Sequence, residues 1–242
     1  MDISPKLQAT IDKVRKLIAL TQNNNNENEV KSAQAQADRI MQQYRIDAAM
    51  LEAGGAVADP MVRRIIYVGG KRSAWREVIL SAVCVQYGVC FYYSSGRMGV
   101  EDDRGNYARK GRCVYTCVGR ESDIEILNFM FLTLCMDTER LCKEHAGKQG
   151  ISFALSWMMG CAQGISSLFN DLRNEQKKAT DGSNSAAMVL LGNRGQEARS
   201  FMNKEIPGLH TGAGISGGRN SSGRSQGFAV GRTVNISTRG LK

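Results

Sequence analysis

The chain has little histidine, little proline and few tryptophans: 2, 3 and 2 in 242 residues. It has no acidic residue at all after position 206. Each scarcity narrows the field. With only His145 and His210, most histidine-based metal sites and general-base schemes lose their usual side chain. No apolar run approaches the roughly 20 residues that a bilayer-spanning helix needs, so a membrane span is not expected. The opening Met1-Asp2-Ile3-Ser4-Pro5 has no basic flank leading into an apolar stretch, so no secretory signal is expected either. What is present is ordinary for a folded chain: 42% hydrophobic and 23% charged residues. That excludes a collagen-like or wholly disordered chain. The length suits one large domain or two small ones with a core that needs no staples.

The seven cysteines are an odd number in a chain that is neither short nor loop-rich. They indicate a reducing compartment rather than a disulfide framework. Most sit in apolar company, where cysteine acts as a small hydrophobe. Cys84, Cys90, Cys113 and Cys117 fall near one expected hairpin and raise the question of tetrahedral zinc. Their spacing is wrong for a zinc ribbon, so buried core thiols are the preferred reading.

Charge is unevenly placed. Residues 1–59 hold 7 basic and 8 acidic side chains, residues 60–206 hold 20 and 15, and residues 207–242 hold 5 and none. The net charge of +9 raises the odds of a polyanionic partner, against a merely solvated basic surface.

Periodicity predicts an α+β, mostly helical fold. A helical hairpin over residues 5–44 opens with Ser4-Pro5, an N-cap followed by proline at the first helical position. Strands are expected at Arg63–Val68, Val89–Tyr93 and Cys113–Val118, the last two forming a hairpin with a long polar connection from Ser94 to Arg112. Ser73 is expected to cap a helix that Gly88 ends. Ser122 and Glu125 are spaced as a capping box for the next helix. Another helix holds Phe153 to Leu172. Ala186–Ile206 reads as a helix or helix pair broken near Gly192. The domains expected are a helical hairpin at 1–52, a linker at 53–60, an α+β domain at 61–206 and a Gly/Ser/Arg-rich segment at 207–242. That last segment reads by default as flexible. Gly223, Gly227 and Gly231 nevertheless recur every four residues, which suggests docking.

Lys13-Val14-Arg15-Lys16-Leu17-Ile18-Ala19-Leu20, then Asn26-Glu27-Asn28-Glu29, then Ala33, Ala37, Met41, Tyr44 and Ile46-Asp47 form a further pattern. It resembles the N-terminal domain of the phage and prophage family known as domain of unknown function 2786. Trp75, Gly119 to Glu125, Ser156 to Gly160, Ala187 to Leu190 and Gly227 to Leu241 are similar to the domain that often follows it. The resemblance implies a phage or prophage protein acting in host cytoplasm. It carries no reaction and no catalytic residues.

Motifs for chemistry are weak. Gly212-Ala213-Gly214-Ile215-Ser216-Gly217 fits a dinucleotide fingerprint but lacks the strand and helix that must flank it. Gly223-Arg224-Ser225-Gln226-Gly227 fits a nucleophile elbow without the α/β sheet or the base. Glu101-Asp102-Asp103 offers hard oxygens for Mg²⁺, but three acids in a loop are usually solvated. No catalytic residue, metal or cofactor is assigned. The best binding candidates are basic: Arg97, Arg104, Arg109, Lys110 and Arg112 in the 94–112 connection, with Tyr92, Tyr93 and Tyr107 interleaved, and Arg219, Arg224, Arg232 and Arg239 in the tail. Such residues grip phosphates, and tyrosine stacks on unpaired bases. The expected function is therefore a nucleic-acid-binding accessory protein with DNA or RNA as partner. The alternative is a non-enzymatic module that binds or inhibits a host or phage protein. An enzyme with a metal site ranks last.

Overall fold

The computed structural model describes residues 36, 40, 59–94, 100–108, 112–179, 186–209, 212, 214–234 and 236. The expected hairpin at 5–44 apart from residues 36 and 40, residues 53–58 of the linker expected at 53–60, and the end of the tail lie outside them. Within the described residues the fold is α+β and mostly helical, as the periodicity predicts. Its elements in chain order are β1 (Met61–Gly69), α1 (Ala74–Tyr87), β2 (Cys90–Ser94), β3 (Val100–Glu101), β4 (Tyr107–Ala108), β5 (Cys113–Arg120), α2 (Glu121–Ala146), α3 (Ile151–Ala179), α4 (Ala186–Glu205) and α5 (Ser221–Gly231).

The main sheet is antiparallel, with order β1-β5-β2. β5 is central and is buried along almost its whole length. The hairpin partner expected for Cys113–Val118 is indeed β2, and β1 takes its other side. Register shifts by one residue between Ile65 and Tyr67, which leaves Ile66 as the extra residue of a β-bulge. Tyr115, Cys113 and Cys117 share one face by strand alternation and enter the core beside Ile79, Val83, Leu127 and Phe131. Tyr115 stacks on Tyr67 at 5.5 Å and meets Phe91 edge-on at 6.4 Å. Ile40, helical and half-buried, packs against the same core.

Gly88 ends α1 at φ +66°, and its N–H reaches the Cys84 carbonyl. A side chain there would meet both the left-handed backbone penalty and α4, since a Cβ would lie 3.1 Å from the Arg194 Cβ. Ser73 occupies the N-cap of α1, but its hydroxyl makes no capping bond. Its backbone is held instead by the Tyr115 hydroxyl at 3.1 Å.

The expected capping box of α2 is replaced by a longer-range arrangement. Ser122 lies inside the helix, and Asp59 caps it from 63 residues upstream. The Asp59 carboxylate accepts from the Ser122 N–H at 3.1 Å and from its hydroxyl at 2.6 Å. Glu125 turns to Arg104 instead. Burial decides this: Asp59 also reaches the buried guanidinium of Arg194 at 3.2 Å, and Asp123 receives the same arginine at 2.6 Å. Two buried carboxylates and one buried arginine thus tie the start of α2 to α4.

α4 runs unbroken through Gly192. A glycine in a helix interior costs only about 1 kcal/mol, and the neighbouring turn is fixed by Arg194 and by Ala198, which is fully buried. α5 packs on α3 through glycines on both helices. Cβ atoms at Gly160, Gly227 or Gly231 would overlap the facing backbone, and one at Gly164 would stand 2.5 Å from the Phe228 carbonyl oxygen. The four-residue glycine repeat therefore marks a close approach of two helices. Asn220 caps α5, accepting from the Gly223 N–H at 2.8 Å.

Candidate functional site

Four of the nine predicted basic residues, Arg97, Arg109, Lys110 and Arg239, lie outside the described residues. The other five divide into engaged and free. Arg104 sits in the turn between β3 and β4 and donates to Glu121 at 2.7 Å and Glu125 at 2.8 Å, which holds its guanidinium firmly protonated. Arg232 pairs with Asp171 at 2.5 Å and donates to the Ser167 hydroxyl at 2.9 Å, fastening the end of α5 to α3. Arg224 donates to the Gly218 carbonyl at 3.2 Å. Arg112 and Arg219 are exposed, and neither forms an ion pair among the described residues.

Of the acidic run at 101–103, Glu101 and Asp103 are exposed and Asp102 is not solvated. Asp102 is buried and organises the turn. Its carboxylate accepts from the backbone N–H groups of Arg104 at 3.0 Å, Asn106 at 2.9 Å and Ile65 at 3.0 Å, and from the Asn106 amide at 3.0 Å. Burial pushes this carboxyl up, but those bonds outweigh it and hold it below the usual carboxylate range. Asp103 accepts from the Arg63 N–H at 2.6 Å and returns its own N–H to the Arg63 carbonyl at 3.2 Å. The outer edge of β1 is thus occupied by two carboxylates.

Of the four thiols considered for zinc, Cys113 lies apart, toward Tyr115 and Glu77. Cys84 and Cys117 adjoin each other in the core with Cys90 near them, and Cys90 also lies against Arg199 and the Gly195 carbonyl. Among the described residues no group of three His, Cys, Asp or Glu side chains is placed to hold a metal ion. Burial pushes up the thiols of Cys84, Cys90, Cys113 and Cys142, that of Cys161 to about 11 and that of Cys135 to about 12, as expected of core residues. No described helix is long and apolar enough to cross a membrane.

The basic residues missed by sequence reasoning stand at one end of the sheet. β1 runs out into Gly70, Lys71 and Arg72, and the Gly69–Cys113 pairing sets Arg112 beside them. Arg72 is held bidentately by Glu77, at 2.5 and 2.8 Å, and stacks 3.7 Å over the Tyr93 ring. Lys71 is exposed and forms no ion pair among the described residues. The signal available in the sequence was the Gly-Gly-Lys-Arg-Ser run after a β-branched strand. Only the register of β1 on β5 brings it to Arg112.

Residues 9–48 match the model of a family described as a protein of unknown function, DUF2786. The match supports the resemblance read from the first helical segment and covers about a sixth of the chain. No curated protein and no solved structure matches the chain.

Proposed function

We propose that this protein binds nucleic acid as a non-catalytic accessory factor, in keeping with a phage or prophage protein working in host cytoplasm. Which ions are paired inside the fold carries the reading. Arginines of the chain hold Asp59, Glu77, Asp103, Glu121, Asp123, Glu125, Glu139, Asp171 and Glu197. Lys71, Lys143, Lys148, Lys204, Arg112 and Arg219 are exposed and form no ion pair among the described residues. Internal pairing consumes acids and arginines together, so the cations it leaves over among the described residues face solvent. Such cations contact phosphates and release counterions. The sheet end with Lys71 and Arg112 is one point of attachment on this surface. Arg219 adds a second point of attachment. The test is a titration of labelled single-stranded DNA, duplex DNA and RNA with the full chain across a salt series. Binding with a steep fall of log affinity against log salt is the expected result. No binding to any of the three at low salt would overturn the proposal.

A further inference from the structure

The two edges of the main sheet are treated differently. On β1, the N–H groups of Arg63 and Ile65 are taken by Asp103 and Asp102, and the β3–β4 hairpin lies along the edge. On β2, the ladder to β5 uses one side of the strand only. Among the described residues no backbone group pairs with its outer side. Every residue from Cys90 to Ser94 keeps part of its surface in solvent. An unpaired strand edge is a template for another strand, and folded proteins usually block it, as this one does at β1.

Charge narrows the occupant. Arg199 is exposed, lies against the Cys90 thiol and forms no ion pair among the described residues. At the other end, Ser94 pairs with Val114, two residues from the exposed Arg112. Unpaired cations therefore flank both ends of β2. A second copy pairing antiparallel through β2 would set Arg199 of one protomer against Arg112 of the other, which like-charge repulsion disfavours.

We propose that the outer edge of β2 is a strand-addition site for an extended acidic segment of a protein partner. Main-chain hydrogen bonds to the alternate outward N–H and C=O groups of Cys90–Ser94 give the affinity, and Arg199 and Arg112 select for acidic side chains. This site reads peptide amides, so it stands or falls apart from the nucleic-acid reading, although the two share Arg112.

The test uses the full chain and a short peptide of alternating Glu and Val with blocked ends. Hydrogen exchange is followed at residues 90–94, with two comparison peptides: the same sequence N-methylated at alternate amides, and alternating Lys and Val. The expected result is slowed exchange within Cys90–Ser94. N-methylation should weaken binding about tenfold or more, because it removes several backbone hydrogen bonds. The Lys peptide should not bind, and the exposed substitution Arg199→Glu should weaken the Glu peptide. Unchanged exchange at millimolar peptide, protection confined to other segments, or equal binding of the N-methylated peptide would each overturn the proposal.

Discussion

Gly227 of α5 lies directly on the backbone of Trp157 in α3, so close that a Cβ on the glycine would overlap the Trp157 carbonyl oxygen. Gly160 and Gly164 answer from α3, where a Cβ would meet the backbone of Arg224 and of Phe228. Both helices therefore present bare backbone, and their axes approach as larger residues would not allow. Backbone on both sides leaves no flexible side chain to give way. Gly227→Ala is expected to destabilise by about 1–3 kcal/mol or to detach α5, as overpacking does. Gly214→Ala is the control, because nothing lies within 4 Å of a Cβ there, and it should be near neutral. Urea midpoints for the two variants check this. Equal midpoints would mean that the helices separate without cost.

A second expectation concerns Arg194, which is 1% exposed and shared by Asp59 and Asp123. Replacing it by leucine leaves two carboxylates buried near the start of α2 without their cation. Breaking a buried pair from one side costs about 3–5 kcal/mol. Arg194→Lys should cost less, since it keeps the charge and loses the fork that reaches both acids. Thermal or urea unfolding of the two variants ranks them, and a leucine variant as stable as the parent would contradict the role given to the triad.

Much of this architecture was legible in the residues. The β-branched run at Arg63–Val68 and the alternation of Cys113–Val118 gave the strands. Apolar spacing gave α1 to α4, and Gly88 the end of the first, but α5 lies in the segment read by default as flexible. What escaped was long-range. Ser122 and Glu125 carry the local signature of a capping box, yet Asp59 and Arg104 claim them from 63 and 21 residues away. Local spacing holds no information about such partners. The acids at 101–103 look alike in sequence, and only the edge of β1 singles out Asp102 for burial. Arg104 and Arg232 read as free cations because their carboxylate partners lie on other elements. The glycine repeat in the tail was visible, but its meaning depended on Gly160 and Gly164 in α3.

The pH dependence of stability should carry the mark of Asp102. Its carboxyl is held below the usual range by the bonds from Asn106, Ile65 and Arg104. A depressed carboxyl contributes its full stabilisation above the unfolded value, about 3.9, and loses it as pH falls through the lower folded value. Glu121 is depressed as well: burial pushes it up, and the hydrogen bonds from Arg104 and Arg64 outweigh that. Glu125 shifts upward, mainly through burial, and works in the opposite sense. Asp102→Asn should cost about 1–3 kcal/mol at neutral pH by leaving backbone donors unsatisfied. It should also flatten the acid limb of a plot of urea midpoint against pH. An acid limb identical to that of the parent would place the titrating group elsewhere.

Thiol chemistry gives a fourth check. Cys90 is half-buried, while the other six cysteines are buried. Burial raises Cys90 as it raises Cys84, Cys113, Cys135, Cys142 and Cys161, so access to solvent is what sets Cys90 apart. A disulfide reagent at mildly alkaline pH should modify Cys90 first, and all seven thiols should react together only after denaturation. Mass mapping of the first modified site decides. Fast modification of Cys84 or Cys117 in the native protein would show that the core beneath β5 opens readily.

The nucleic-acid reading makes its sharpest claim about which arginines matter. Arg112 and Arg219 are exposed and unpaired among the described residues, whereas Arg104 and Arg232 are spent on Glu121, Glu125 and Asp171. Arg112→Gln with Arg219→Gln should weaken binding uniformly across sequences and leave the unfolding midpoint unchanged. Removing one cation from a phosphate lowers the slope of log affinity against log salt by about 0.9 on duplex DNA and about 0.7 on single strands. Arg232→Gln should do the reverse, lowering the unfolding midpoint by loosening α5 and leaving the salt slope as it was. The two variants therefore separate a phosphate-binding cation from a structural ion pair. If Arg232→Gln reduced the slope while the Arg112/Arg219 pair did not, the tail would bind through residues that the fold holds in internal pairs, and the division between engaged and free cations would be wrong.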